Sequence, residues 1–338
     1  MICAIEIGTS RTRLRFVDKN DEIIAGSVQP IGARDVAMSG KNDDLKQRIH
    51  EIIEDLLVQQ KCQRSDIEDV VAHGMVTADI GLYKVEHAPS PVDIYKLTSH
   101  TLRVDIPEIS EKPILLIPGV KNSVKDVCID TLDDIDFMRG EETQIMGILH
   151  SPDLSGTLKL PFFFLMLSSF TKLVLVNTKK QIDIATTNVT GQLFPAIIKD
   201  TFLAGMLPDY FPGPETMNED LVYKGYQYAD KVGFPRALML IRLSQYFLQM
   251  NKEDAMSFLE GIIAYLDLSK MADKLRAYPD LKIIIAGDTY RRKVYTFLFK
   301  KCFGFDDNII CLDDDQMQRI TVKGAMEILR RARSIEKK

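Results

Sequence analysis

The sequence lacks a closely spaced pair of cysteines. Its 338 residues include five scattered cysteines, namely Cys3, Cys62, Cys128, Cys302 and Cys311. An odd, dispersed set without a CxxC motif argues against a zinc site and against a disulfide framework. We therefore expect reduced thiols and a cytoplasmic protein.

A signal peptide, a long apolar run and an excess of positive charge are also missing. The first residues, MICAIEIG, have no charged segment or cleavage site, and polar side chains interrupt the strongest apolar run, residues 161–176. The net charge is −5, so there is no basic stripe for a polyanion. We expect neither a membrane nor a nucleic acid as a partner.

The usual nucleotide-binding fingerprints, GxxxxGK[ST] and GxGxxG, do not occur. The chain is long, and its 338 residues exceed the size at which one hydrophobic core usually stops growing. The length predicts two domains of roughly 150 residues, with a cleft between them.

Two stretches of the chain follow the same order of elements. The first has strands at residues 2–7, 12–17 and 23–28, a helix at 41–60 and a strand at 67–72. The second, residues 157–186, has a strand ending at 167, strands at 172–176 and from 181, and then a helix from about 190. Short apolar runs at 113–117 and 281–286 are typical of buried parallel strands. The repetition predicts a duplicated two-domain α/β fold.

Other helices follow from apolar spacing and from turn residues. They are expected after Gly140, through much of residues 195–278, from about 291 and over 321–333.

The turn Gly8-Thr9-Ser10 follows the first strand. Glycine allows close approach of a phosphate, backbone N–H groups can point at it, and two hydroxyls add donors. The turn could therefore bind an anion. The alternative is an ordinary hairpin turn, since these residues are common in turns.

Two adjacent acids, Glu141 and Glu142, begin a helical pattern directly after Arg139 and Gly140. Neighbouring helical residues point about 100 degrees apart, so the two carboxylates cannot both face one ligand. One interpretation is that the helix dipole favours acids at its N-terminus. The other is a general base, or an anchor for water or metal, beside an arginine that binds carboxylate or phosphate.

Residues 73–92 form a loop-like segment after a strand end, where ligands bind in open α/β sheets. His87 lies within this segment, and it is either a ligand contact or an ordinary loop histidine.

Several stretches together resemble the 2-keto-3-deoxygalactonate kinase (2-dehydro-3-deoxygalactonokinase) family. They are IEIGTSRTRLR, GMVTADIGLYKVEHAPSP, LLIPGV with MRGEETQIMG, VTGQL and IIAGD. The resemblance covers most of the chain and implies the fold shared by actin, hexokinase and the heat-shock ATPases. That fold has two ribonuclease-H-like domains with an interdomain cleft for ATP. It implies domains at residues 1–138 and 156–338, joined by an interdomain helix at 139–155.

The resemblance also assigns phosphate and adenosine contacts. Gly8, Thr9 and Ser10 would form the first phosphate turn, and Ser168, Ser169 and Lys172 the second. Gly287 and Asp288 would lie near the adenosine.

A further set of residues would act on the acceptor. By the resemblance, Glu141, slightly ahead of Glu142, would be the general base, with Arg139 beside it. Arg13, Met75, Thr77 and His87 would contact the sugar acid, and Glu6 would anchor Mg²⁺.

The chain departs from the family pattern in three places. Glu6 stands where the family has aspartate, which is one methylene shorter. Residues 167–172 read LSSFTK where the family has Pro-Gly-Thr-His-Ser-Lys, so the glycine of the second turn is lost. Gln192 replaces a glutamate after Thr-Gly.

The resemblance implies an ATP-dependent kinase that phosphorylates the primary hydroxyl of a 2-keto-3-deoxy sugar acid, with Mg²⁺. One alternative is a diverged member that senses a nucleotide or a sugar acid without turnover. Another is a phosphohydrolase like the exopolyphosphatases. The expected partners are small molecules, and the oligomeric state stays open between a monomer and a homodimer.

Overall fold

The structure is a computed structural model that describes residues 1–156, 158–208, 213–278 and 280–337. Thr157, where the second predicted stretch begins, lies outside the described residues. By contacts the chain divides into two units. The first contains residues 1–160, 175–185 and 315–338, and the second contains residues 161–174 and 186–314. The predicted domain boundaries stay a prediction.

The first unit contains the N-terminal strands and helices. Its strands are β1 (Ile2–Ile7), β2 (Thr12–Val17), β3 (Ile23–Gln29), β4 (Asp69–Gly74), β5 (Ala88–Pro89), β6 (Leu102–Val104), β7 (Ile114–Leu116), β8 (Val120–Lys121) and β9 (Phe137–Met138). Its helices are α1 (Ala33–Ser39), α2 (Asp43–Gln60), α3 (Ile94–Ser99), α4 (Glu141–His150) and α5 (Pro152–Ser155), followed much later by the C-terminal helix Asp314–Glu336.

The main sheet of this unit has the strand order β3-β2-β1-β4-β7-β6. β1 pairs antiparallel with β2 and parallel with β4, which pairs parallel with β7. The apolar positions of α2 are buried, as their helical spacing predicts: Leu45, Ile49, Ile52, Ile53, Leu56 and Leu57. Each such side chain contributes roughly 1.5–3 kcal/mol when fully buried. Because β1, β4 and β7 are parallel, their carboxyl ends meet at one edge of the sheet.

The second unit contains the other sheet and a set of helices. Its strands are β10 (Phe162–Leu167), β11 (Thr171–Val176), β12 (Ile182–Asn188), β13 (Lys282–Gly287) and β14 (Ile309–Cys311). Its helices are α6 (Thr190–Asp200), α7 (Glu219–Val232), α8 (Phe234–Leu248), α9 (Lys252–Ala277) and α10 (Thr289–Phe303). The C-terminal helix of the first unit is α11 (Asp314–Glu336). The division by contacts passes through β11 and β12.

The second sheet repeats the arrangement of the first. Its strand order is β12-β11-β10-β13-β14, matching β3-β2-β1-β4-β7, and β10, β13 and β14 pair in parallel. Ile7 lies opposite Gly74 in the first sheet, and Leu167 lies opposite Gly287 in the second. The predicted α/β fold with a duplicated strand plan is therefore confirmed.

Several element bounds differ from the prediction. The strand expected at 67–72 is Asp69–Gly74, and the last helix is Asp314–Glu336 rather than 321–333. The extra N-terminal turns of that helix carry aspartates, which lack apolar spacing but are favoured by the helix dipole. β5, β8 and β9 form a small sheet of two-residue strands, which are too short to show a period in the sequence. Among the described residues, no helix is long and apolar enough to cross a bilayer.

Candidate active site

The first predicted phosphate turn joins β1 to β2. Gly8 N–H donates to the Arg11 carbonyl at 2.8 Å, and the carbonyls of Gly8 and Thr9 accept the N–H groups of Ala33 and Arg34 at 3.1 and 2.8 Å. Gly32, just before α1, packs against this turn, because a Cβ there would lie 2.6 Å from the Gly8 carbonyl oxygen. The start of α1 thus fixes the backbone of the turn.

The start of α4 lies at the same edge of the sheet. Gly74 ends β4 with φ +82°, and a Cβ there would lie 2.5 Å from the Ile7 carbonyl oxygen. A Cβ on Gly140 would lie 3.7 Å from the Gly74 Cα. The end of β1, the end of β4 and the first turn of α4 are therefore neighbours, which brings Glu141 into the vicinity of the Gly8 turn.

The two adjacent acids have different surroundings. Both oxygens of Glu142 accept the Gly140 N–H at 2.8 Å, and Thr143 Oγ1 donates to Oε1 at 3.2 Å. Glu142 is fully buried, whereas Glu141 retains 9% exposure. The carboxylate of Glu142 therefore caps the N-terminus of α4, with the charge that the helix dipole favours.

Glu6, the predicted metal anchor, is held by two arginines. Its Oε1 accepts Arg13 Nη1 at 3.0 Å, and its Oε2 accepts Arg15 Nη1 at 3.1 Å. Burial alone would raise the pKa of Glu6, but the neighbouring charges, Arg13 first, hold it below its ordinary value. His73 lies opposite Glu6 in the sheet register, and burial lowers the pKa of His73 to about 4. This face therefore combines a carboxylate, two guanidinium groups and a neutral imidazole.

This arrangement does not fit Glu6 as a direct ligand of Mg²⁺. A dication on the carboxylate would lie beside two guanidinium groups that already neutralise it. Within the part of the chain that the structure describes, no group of three or more His, Cys, Asp or Glu side chains could hold a metal ion. No step of the reaction is therefore assigned to a metal on Glu6.

Arg139 links the loop after β4 to the start of α4. Its Nη1 donates to Thr77 Oγ1 at 2.6 Å, and its Nη2 donates to the Val85 carbonyl at 2.9 Å and lies 3.4 Å from His87 Nδ1. Burial lowers the pKa of Arg139, a shift that Glu142 partly opposes.

The remaining predicted substrate contacts lie on the same loop. Thr77 is buried, and its hydroxyl also donates to the Gly74 carbonyl at 3.1 Å. Met75 begins that segment and is half-buried, and the ring of His87 packs on Phe137 at 5.3 Å. The structure thus brings Met75, Thr77, His87 and Arg139 together, and their contact with a substrate stays a prediction.

The second predicted phosphate turn joins β10 to β11. Ser168 N–H donates to the Phe170 carbonyl at 3.1 Å. A Cβ on Gly191 would lie 1.8 Å from the Ser168 carbonyl oxygen, and one on Gly287 would lie 2.0 Å from that of Leu167. Asp288 caps α10 by accepting the Arg291 N–H at 3.0 Å, and Lys172 Nζ lies 6.0 Å from the centre of the Phe170 ring. Four of the predicted nucleotide contacts in this unit, Ser168, Ser169, Gly287 and Asp288, thus surround the end of β10.

The two turns have matching supports. Gly32 packs against the carbonyls of the first turn, and Gly191 packs against those of the second. Gly74 and Gly287 pack against the residues just before these turns, Ile7 and Leu167 respectively. The second turn itself contains no glycine, but Gly191 packs against it and Gly287 packs against Leu167, the residue before it.

Sequence reasoning missed several residues at these two places. Arg15 shares a strand face with Arg13, so its position two residues further along was a usable signal. Asp267 and Arg291 lie on the consecutive helices α9 and α10, and no local pattern in the sequence pairs these two side chains.

Comparisons with known proteins bear on the family and the fold. The family model described as 2-keto-3-deoxy-galactonokinase (DGOK) matches residues 6–320. A structure of a candidate 2-dehydro-3-deoxygalactonokinase from Sinorhizobium meliloti has a TM-score of 0.73 at 19% identity, covering 97% of this chain and 99% of that one. The activator of 2-hydroxyisocaproyl-CoA dehydratase from Clostridium difficile, with bound ADPNP, has a TM-score of 0.50 at 10% identity, covering 99% and 97%. No protein with a curated description matches the sequence. At such identities the two structures show a shared fold.

Proposed function

Because the chain belongs to the 2-keto-3-deoxy-galactonokinase family and is a sugar-acid kinase, we propose that it transfers the γ-phosphoryl group of ATP to the primary hydroxyl of a 2-keto-3-deoxy sugar acid of the galactonate type. The observation that carries the assignment of the site is the different use of the two acids at the start of α4. Glu142 is committed to capping the helix through Gly140 N–H. Glu141 is the general base in this proposal.

The proposed reaction is a direct phosphoryl transfer. The acceptor oxygen forms a bond to the γ-phosphorus while the bond from that phosphorus to the β–γ bridging oxygen breaks. The hydroxyl proton passes to Glu141, and ADP leaves. Phosphoryl transfer needs positioning and charge stabilisation more than covalent chemistry, so a carboxylate that orients the hydroxyl is sufficient.

The two arginines near the first turn have different parts in the proposal. The side chain of Arg13 is 33% exposed, whereas that of Arg15 is 5% exposed. Arg13 can therefore pair with the substrate carboxylate or the γ-phosphate while Arg15 holds Glu6 in place. Arg139 positions the loop that carries Met75, Thr77 and His87, because its donors already contact that loop.

The Gly8-Thr9-Ser10 turn and the Ser168-Ser169 turn are proposed to bind nucleotide phosphates, with Gly287 and Asp288 near the adenosine. Support comes from the matching glycine contacts behind the two turns. A shared backbone arrangement is consistent with a shared kind of ligand, and backbone N–H groups in tight turns suit anions.

Glutamine substitutions separate the two acids. Glu141→Gln keeps the size of the side chain but cannot accept the proton, so kcat should fall roughly 10²–10⁴-fold, with a KM for the sugar acid near wild type. Glu142→Gln weakens a helix cap and should cost about 1 kcal/mol of stability, with a smaller loss of kcat. Steady-state kinetics with coupled ADP detection, beside thermal unfolding, tests both. Wild-type kcat in Glu141→Gln would overturn the assignment of the base.

A further inference from the structure

Arg291 reaches the second turn from α10. Its side chain is buried, with Nη1 donating to the Ser168 carbonyl at 3.3 Å and Nη2 donating to Thr171 Oγ1 at 3.0 Å. Ser168 is the first residue of the turn, and Thr171 is the first residue of β11. One guanidinium group thus bonds to both ends of the turn.

The guanidinium group is itself held from behind. Its Nη2 lies 3.5 Å from Asp267 Oδ2 and donates to the Tyr295 hydroxyl at 3.2 Å, and Tyr295 in turn donates to Asp267. Asp267 is fully buried and also accepts the hydroxyl of Thr190 at 2.8 Å. Because a planar guanidinium group with fixed partners has little freedom, its remaining donors are pre-oriented toward the turn.

The hydrogen bonds to the carbonyls of the first turn come from a different source. There, N–H groups at the start of α1 donate to the carbonyls of Gly8 and Thr9. In the second unit, the N–H groups of Gln192 and Leu193 donate instead to the carbonyl of Val189, the residue that precedes α6. The Ser168 carbonyl accepts the guanidinium group of Arg291 where the equivalent carbonyl of the first turn accepts a backbone amide.

We propose that Arg291 is a positioning residue that fixes the second turn for nucleotide binding, doing through a side chain what the start of α1 does for the first turn. The inference rests on the proposed binding of nucleotide phosphate at that turn. Arg291 is only 4% exposed, so it acts through Ser168 and Thr171 rather than on the nucleotide. It also compensates for the glycine that the turn lacks, since an anchored backbone retains its spacing without that residue.

The test compares variants by the KM for ATP, by kcat and by the affinity for Mg-ADP in titration calorimetry. Arg291→Met removes the guanidinium group. Arg291→Lys keeps a charge near Asp267 but cannot donate to both the Ser168 carbonyl and Thr171 Oγ1. Thr171→Val removes one acceptor of Arg291, together with the hydrogen bond between the hydroxyls of Thr171 and Thr190, and leaves the pair of Arg291 with Asp267 in place. Arg292→Met is the matched control, since Arg292 is also buried on α10 but donates to Leu312 and Thr289.

The expected result for Arg291→Met is a KM for ATP and a dissociation constant for Mg-ADP that rise about 10- to 100-fold, the range for losing one or two hydrogen bonds to a charged group. The change in kcat should stay within a few fold, Arg291→Lys and Thr171→Val should be intermediate, and Arg292→Met should match wild type. If Arg291→Met does not fold, Thr171→Val decides. Unchanged nucleotide affinity in the folded Arg291 or Thr171 variants, or an equal loss in Arg292→Met, would overturn the inference. A wild-type protein that binds Mg-ADP without phosphorylating any sugar acid would refute the proposed function and leave this inference standing.

Discussion

Glu260 on α9 is a fully buried acid outside the proposed chemistry. Within the described residues, neither of its carboxylate oxygens has a hydrogen-bond partner. Burial raises its pKa to about 7, although Arg291 opposes the shift. A buried acid with this pKa is protonated at mildly acidic pH, where an unfolded chain would have released the proton. The folded state therefore gains stability from holding that proton.

That proton makes stability depend on pH. The gain is fully present below about pH 4.5 and is lost as the pH rises through about 7. The difference between the ordinary pKa of 4.5 and a pKa of about 7 corresponds to about 3 kcal/mol of folding free energy. Glu260→Gln should therefore be more stable than wild type at pH 8.5, with a smaller difference at pH 5. Urea unfolding at the two pH values measures this, with the exposed Glu219→Gln as the control. Equal pH dependence in Glu260→Gln and wild type would contradict the prediction.

At the scale of elements, the position of α4 depends on its crossing with α11. A Cβ on Gly147 would lie 1.9 Å from the Ile320 carbonyl oxygen, and one on Gly324 would lie 1.9 Å from that of Thr143. Both helices therefore approach closely enough that only a hydrogen fits at these two positions. Ion pairs add to the attachment of α11, with Lys323 bonding to Asp21 at 3.0 Å and Arg333 to Asp69 at 2.8 Å. The residues that follow Gly140 are held through this crossing.

A single methyl group at the crossing should separate the two helices. Gly324→Ala gains about 1 kcal/mol in helix propensity, but the overlap with the Thr143 backbone should cost about 1–3 kcal/mol and outweigh that gain. We expect a lower unfolding midpoint, together with reduced kcat because the first turn of α4 shifts. Gly205→Ala is the matched control, since a Cβ there meets no atom within 4 Å. Stability of Gly324→Ala at or above wild type would show that the crossing tolerates a side chain.

The sequence predicts those features that neighbouring residues determine, and it does not predict those that depend on contacts between separate segments. The hairpins after residues 7 and 167 and the helix after Gly140 follow from alternation, turn residues and apolar spacing, all of which are local. The roles of Glu141 and Glu142 could not be separated in this way, because the cap through Gly140 depends on the backbone of one turn. The contacts of Arg291 with Ser168 and Asp267 join three separate segments of the chain, and no spacing in the sequence encodes these contacts.

At the scale of the whole molecule, the fold and the family are properties of nearly the whole chain, whereas we expect the choice of substrate to depend on a few side chains. The sheet of one unit repeats in the other, and the family model covers residues 6–320. In the proposed site, the loop that carries Met75, Thr77 and His87 is the part expected to select the sugar acid, since a few side chains can discriminate between hydroxyl configurations. The galactonate-type acceptor is thus the part of the proposal that a direct assay examines first.

The most direct test is to incubate the protein with ATP, Mg²⁺ and each of a panel of 2-keto-3-deoxy sugar acids, following ADP by a coupled assay and the product by phosphorus NMR. We predict one ADP for each acceptor consumed, a new phosphomonoester coupled to the protons of the primary carbon, and the highest kcat/KM for the galactonate derivative. ADP release no faster than in the absence of any acceptor, or inorganic phosphate as the product, would contradict it.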